Sequence, residues 1–272
     1  MQLSTTQLKH QTALPSRRRH HIGRQLIPWL VPLMLLIVWQ ITAQAGVLSA
    51  SVLPAPTTVL QDGIALTQSG ELPRNLAVSL FRATTGFAIG AIVGFVLALL
   101  TGLSTTWRLA LDSSVQMVRN IPHLSLIPLV IIWFGIGEPA KITLVAIGVF
   151  FPVYINTFHG LASVDPELLE MGHVYGLTRW QQFRQIIFPS ALPTILVGIR
   201  YALGVMWTTL IVAETVSTSS GIGYMSTNAQ DFLDMKTILL CIIIYALLGK
   251  LSDTMVKALE RQLLSWQKGN VA

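Results

Sequence analysis

The chain has 272 residues, of which 52% are hydrophobic and only 11% charged, with a formal net charge of +6. A soluble domain carries roughly 25% charged residues, so this composition excludes a water-covered globule and makes lipid the solvent for much of the chain. The basic residues gather at the N-terminus, in short loops and at the C-terminus, with no stripe interleaved with aromatics; this excludes a nucleic-acid groove and reads as anchoring at the cytoplasmic side of a membrane.

Residues 1–25 form a polar, basic tail. Leu26–Ala45 follows with about 20 largely apolar residues, longer than the roughly 7–15 of a signal-peptide core, and it keeps Trp29 and Trp39. It is read as a retained first span. Leu53-Pro54-Ala55-Pro56-Thr57-Thr58 predicts a rigid extended stretch, then a short helix over Val59–Thr67 capped by Thr57 or Thr58. A span needs roughly 20 mainly apolar residues. The second is Leu76–Leu103, with Gly86, Gly90, Gly94 and Gly102 along it; the third is Ile121–Ile136 and the fourth Ile142–Leu161. Pro122, Pro128 and Pro152 would kink or break spans three and four. The fifth span is Ala191–Ala213 and the sixth Ile238–Met255. Between them, Ser217–Met225 holds Ser219-Ser220-Gly221-Ile222-Gly223, which lacks the strand and third glycine of a dinucleotide fingerprint and is read as a flexible outer loop. Cys241 is the only cysteine, so neither an internal disulfide nor a cysteine metal cage is available.

These elements predict an all-α, polytopic fold: a membrane domain over residues 26–258 with six spans, a basic tail before it and a second tail over 259–272. An inside N-terminus puts Lys9, Arg17, Arg18, Arg19, Arg24, Arg108, Arg179, Arg184, Lys257, Arg261 and Lys268 in the cytoplasm, against Arg74, Lys141 and Lys236 outside. Both termini are therefore expected in the cytoplasm.

The longest inner connection, Ser163–Pro189, is dense in local signals. Asp165 is an N-cap, Pro166 stands at the first helical position, and Glu167 suits the helix dipole. Leu168, Leu169, Met171, Val174 and Tyr175 make an apolar face that Gly176 ends. Thr178 and Gln181 make a capping box for a second helix through Trp180, Phe183, Ile186 and Ile187 to Pro189. Such a pair forms either a compact knob or two amphipathic helices resting on the inner leaflet.

Glu170-Met171-Gly172, then Gly176, Ile186 and Pro189, resemble in spacing the EAA motif of ATP-binding-cassette (ABC) importer permeases, with Met171 in place of a small residue and Phe188 where leucine is common. Val118-Arg119-Asn120-Ile121-Pro122-His123, Trp133-Phe134-Gly135-Ile136-Gly137 and Pro152-Val153-Tyr154-Ile155-Asn156-Thr157 resemble the subgroup for organic sulfonates, taurine, nitrate, cyanate or bicarbonate. Ala202-Leu203-Gly204-Val205-Met206-Trp207, Leu210-Ile211-Val212-Ala213-Glu214-Thr215 and Tyr245-Ala246-Leu247-Leu248-Gly249-Lys250 are most similar to its aliphatic-sulfonate branch. The resemblance spans roughly Pro54 to Leu264. It implies a homodimeric, multi-pass permease of the bacterial inner membrane, fed by a periplasmic binding protein. It also implies that Ser163–Pro189 is a coupling helix docking on cytoplasmic ATPase subunits, which would be the ones to use ATP and magnesium.

An ionisable residue at mid-bilayer costs about 2.5–3.5 kcal/mol, so each needs a reason. Arg82 and Glu214 fall near the outer ends of spans two and five, Arg119 and Arg200 nearer the inner side. They either line an anion pathway, or pair (Arg82 with Glu214) and anchor at the surfaces. Asn120, Asn156 and Thr157 are further pathway candidates. His123, His159 and His173 lack partners at metal-ligand spacing, so no metal site is expected. No G-x-x-x-x-G-K-[ST] run and no nucleophile elbow occurs, so neither a catalytic site nor a bound cofactor is expected in this chain. A secondary transporter working without ATP would carry an inverted repeat and buried proton-relay carboxylates, and neither is seen.

Overall fold

The computed structural model describes residues 21–46, 49, 51–216 and 218–267, so most of the N-terminal tail and the end of the C-terminal one lie outside the described residues. Two compact units divide the chain, Met1–Thr57 and Thr58–Ala272. The described residues of both are helical, with no strand among them.

In the first unit, α1 (His21–Gln44) covers the first expected span. The Gln40 side chain donates to Thr57 Oγ1 (3.1 Å) and accepts the Thr57 N–H (3.2 Å). The short helix expected after the proline-rich stretch is α2 (Pro56–Gln68), which starts earlier because Pro56 is preset for a first helical turn.

The second unit is built on α3 (Glu71–Leu103), α6 (Glu138–Ala162) and α9 (Phe188–Thr215). Lipid gives apolar side chains little reason to leave it for one another, so close backbone approach must supply the contact. Gly86, Gly90, Gly94 and Ala98 recur every four residues along α3 and face α6 or the core. A Cβ on Gly90 would stand 2.3 Å from the Ala146 carbonyl oxygen, and one on Gly94 2.7 Å from that of Phe150. Gly160 and Gly198 perform the same service between α6 and α9. Ala83, Val145, Val149, Val153, Ala202, Met206 and Leu210 fill the space left between the three helices. The expected result is that Gly90→Ala lowers the midpoint of thermal unfolding in detergent, by an overpacking cost of about 1–3 kcal/mol. Gly204→Ala, whose new methyl meets nothing within 4 Å inside α9, is expected to leave it level or slightly raised.

The same contacts fix chain direction. Gly86, Gly90, Gly94 and Gly102 meet Val145, Ala146, Phe150 and Leu161 in ascending order, so α3 and α6 run parallel. The intervening chain must therefore return across the core. It does so as α4 (Thr105–Arg119), a 3-10 turn (His123–Leu126) and α5 (Ile127–Phe134), bent by 86° at the turn. The break expected from the prolines of Ile121–Ile136 falls at this turn, since Pro122 and Pro128 have no N–H to continue a helix. His123 Nε2 lies 3.0 Å from Thr209 Oγ1, seated where Gly148 leaves room, and ties the turn to α9.

After α6 come α7 (Pro166–Val174), α8 (Arg179–Gln182), a π-helical turn (Phe183–Ile187) and then α9. The second helix of the loop is therefore no separate element. It is the end of one 37-residue helix, Arg179–Thr215, about 55 Å long. The Phe188 N–H bonds to the Phe183 carbonyl, a widened turn that lets Pro189 pass without its missing donor. The chain closes with α10 (Ile222–Asp231) and α11 (Met235–Leu263), the latter antiparallel to α9. Among the described residues, four helices are long and apolar enough to span: α3, α6, Arg179–Thr215 and α11. The bent α4–α5 pair makes five if counted as one crossing, where the sequence predicted six in all.

Candidate functional site

Two polar assemblies stand at opposite ends of the α3–α6–α9 core. At the end where α3 and α6 finish lies the loop Ser163–Pro189. Asp165 Oδ1 accepts the Glu167 N–H at 2.9 Å and starts α7; Thr178 and Gln181 close their capping box around α8. Gly176 ends the first helix at φ +72°, a conformation that side chains strain to adopt, and Leu177 N–H returns to the Gly172 carbonyl at 3.0 Å. Gly172 is buried, and a Cβ there would stand 2.8 Å from Ile186 Cδ1. The spacing Glu170, Met171, Gly172, Gly176, Ile186, Pro189 thus has a physical basis: Gly172 is small because Ile186 lies on it, Gly176 makes the turn, and Pro189 follows the widened one.

What this loop leaves uncovered is apolar. Val174 is 87% exposed, Tyr175 76% and Trp180 68%, with Leu168 and Met171 also exposed. Glu170 is exposed beside them. Single apolar side chains on a surface need no explanation, but a contiguous set on a rigid turn is a surface suited to cover by another layer, protein or lipid.

At the other end, Arg82 is wholly buried and each of its five N–H groups is used. Nε donates to Glu138 Oε2 at 2.6 Å, and one Nη to Glu138 Oε1 and Ser220 Oγ. The other Nη donates to Glu214 Oε1 at 2.8 Å and to the Ser220 carbonyl at 2.7 Å. Glu214, also buried, accepts in addition from Ser79 Oγ, the Gly223 N–H and Tyr245 OH. Asn75 Oδ1 and Ser79 Oγ take the N–H groups of Gly221 and Ile222. This corrects the flexible-loop reading: residues 218–225 are pinned to α3 and α9 through consecutive backbone amides. Gly221 is required there, since at φ +110° a Cβ would fall 2.4 Å from Glu214 Oε1.

A guanidinium with all donors engaged offers none to a passing anion, so Arg82 and Glu214 form a clamp joining α3, α6, α9 and the loop before α10. Arg82 and Glu214 were found in the sequence as intramembrane charges; Glu138, Ser79, Asn75 and Tyr245 were not. Glu138 sits at the polar start of a helix, where a carboxylate is ordinary, and nothing in sequence distance brings it to Arg82. Lys141, one turn on, is buried with its Nζ 3.8 Å from Glu138.

The remaining candidates are dispersed. Arg200 pairs with Asp253 and Glu260 across α9 and α11. Asn156 donates to the Pro152 carbonyl of its own helix at 2.8 Å, and Thr157 is buried with its hydroxyl unpartnered. Arg119 and Asn120 stand exposed at the end of α4. Among the described residues no three His, Cys, Asp or Glu side chains gather as a metal site would require.

Residues 86–265 match the family described as binding-protein-dependent transport system inner membrane component. A protein of Escherichia coli (strain K12) named as an aliphatic sulfonates transport permease, SsuC, is 51% identical over 89% of this chain and 92% of its own length. The Bacillus subtilis (strain 168) protein of the same name is 45% identical over 93% and 91%. The taurine transport system permease TauC of Escherichia coli (strain K12) is 34% identical over 86% of each. Among solved structures, a crystal structure of an amino acid ABC transporter with histidines superposes at a TM-score of 0.61, with 19% identity, over 73% of this chain and 96% of that one; it shares the fold.

Proposed function

The chain belongs to the binding-protein-dependent transport system inner membrane components, and on that premise we propose that it is the permease subunit of an ATP-driven importer of aliphatic sulfonates. The observation that carries the mechanism is the loop Ser163–Pro189, whose apolar face is uncovered while its turn is fixed by Gly172 against Ile186. Glu170, Met171 and the exposed side chains of α7 are the docking surface for a cytoplasmic ATPase subunit, which binds and hydrolyses ATP with magnesium. Six spans, both termini in the cytoplasm, a second copy of this chain and a periplasmic binding protein complete the assembly.

The helix Arg179–Thr215 is the connecting rod. It begins in the loop and ends at Glu214, so a displacement of the docking face reaches the clamp at the opposite end without crossing a flexible joint. ATP-driven closure of the ATPase pair brings the two loops together and opens the outer side to the binding protein. Hydrolysis then restores the inward-facing arrangement.

The substrate reading rests on the names of relatives at 51% and 45% identity; taurine is the second reading, on TauC at 34%. Reconstituted in liposomes with its ATPase and binding protein, the importer is expected to take up short alkanesulfonates in an ATP-dependent manner, with taurine at least about tenfold slower, a discrimination of about 1.4 kcal/mol. Preferential uptake of taurine would keep the mechanism and change the cargo. Uptake independent of ATP would replace it with secondary transport.

A further inference from the structure

The polar stripe of α4 has no buried residue, and nothing among the described residues explains it. Thr105, Arg108, Asp112, Gln116 and Arg119 follow at intervals of three or four residues and share one helix face. Val118 and Ile121 face the other way, into an apolar groove of about 400 Å³ shared with Gly90 of α3 and with Ala146 and Phe150 of α6. Those residues lie well inside their helices, so the end of α4 stands near mid-depth of the core. From there the edge of a hydrocarbon layer about 30 Å thick is farther than an arginine side chain reaches.

Arg119 is nevertheless exposed, and among the described residues its side chain has no carboxylate partner, in contrast to Arg82 and Arg200. A lone guanidinium at that depth is tolerated where water reaches it. Asn120, exposed beside it, adds an amide. Resting on the proposed import of sulfonates, we propose that the polar face of α4 walls the translocation pathway and that Arg119 is its anion station, where the sulfonate oxygens meet a planar, permanently charged donor. Charge complementarity selects this occupant: the stripe carries two arginines against one aspartate, and a sulfonate keeps its charge at any physiological pH.

The test uses the complete importer in liposomes with Cys241→Ser as background. Asn120→Cys is treated in turn with a methanethiosulfonate reagent bearing an ethylsulfonate and with one bearing a trimethylammonium. The proposal expects both to react, the sulfonate reagent preferentially, and Arg119→Gln to lower the ratio of the two rates on the order of tenfold, as loss of a local positive potential does. Arg119→Lys is expected to restore most of the ratio and of the sulfonate uptake that Arg119→Gln loses. Val118→Cys, half exposed but facing the apolar groove, is expected to react more slowly with both and to show no dependence of the ratio on Arg119. An unreactive Asn120→Cys would mean that this face is sealed by lipid or by the second copy, and an unchanged ratio in Arg119→Gln would mean that Arg119 senses no anion; either overturns the proposal. Absence of sulfonate uptake in the unmodified importer would instead overturn the substrate reading, with the rate ratio still measurable.

Discussion

Arg82→Leu is expected to be the most destabilising single substitution in the chain, at about 3–5 kcal/mol, because it strands the buried Glu214 carboxylate without its cation. The loss is read as a fall in folded yield and in the midpoint of thermal unfolding in detergent. Glu214→Leu should cost a similar amount, since it frees one guanidinium edge and removes the acceptor of Ser79, Tyr245 and Gly223 together. The double variant Arg82→Leu with Glu214→Leu is expected to be clearly less destabilised than the sum of the two. A buried pair removed whole leaves no unpaired charge, whereas removing either half does. Glu138 limits the recovery little, because it is half exposed and water can take over its solvation. Arg82→Lys should fail to rescue, since one ammonium cannot reach two carboxylates and the Ser220 carbonyl in the geometry of a five-donor fork. Additive single losses would show that the clamp contributes through packing alone.

Much of this was legible in the sequence because its causes are local. Asp165, Pro166, Gly176, Thr178 and Gln181 act on backbone groups within four residues, and each occupies its expected cap. The glycines of α3 stand in plain view in the sequence, but the helix contact they serve is set by α6. What failed were features decided by distant neighbours. Residues 218–225 look like a loose loop until Asn75 and Ser79, more than 130 positions earlier, are seen to take their amides. The prolines of Ile121–Ile136 announce a break, but the size of the bend, 86°, is set by packing that neither they nor hydropathy registers. The second half of the Ser163–Pro189 loop carries a valid helix start, and so it reads as a new short helix; that the π-helical turn lets it run on into α9 is invisible to capping rules.

On the proposed function, that continuity makes the loop's turn the place where transport can be disconnected from hydrolysis without disturbing the membrane core. Gly176→Pro places a residue fixed near φ −65° where the chain needs +72°, and it removes the N–H that Gly176 gives to the His173 carbonyl. The turn between α7 and α8 must open, so Gly172 separates from Ile186 and the exposed face of α7 loses its fixed aim. The expected result is normal membrane insertion, an unfolding midpoint close to that of the unaltered chain, and sulfonate uptake reduced at least about tenfold, the effect of losing some 1.4 kcal/mol of docking energy. ATP hydrolysis by the associated ATPase should persist but cease to respond to the loaded binding protein. Glu170→Lys reverses an exposed charge on the same face while leaving every hydrogen bond of the turn intact. It is expected to give the same uncoupling, separating loss of the docking surface from loss of the turn. Should both variants transport normally, α7 is a membrane-surface helix and the ATPase docks elsewhere. If Gly176→Pro alone fails, the turn matters for the rigidity of the rod Arg179–Thr215 and not for what α7 touches.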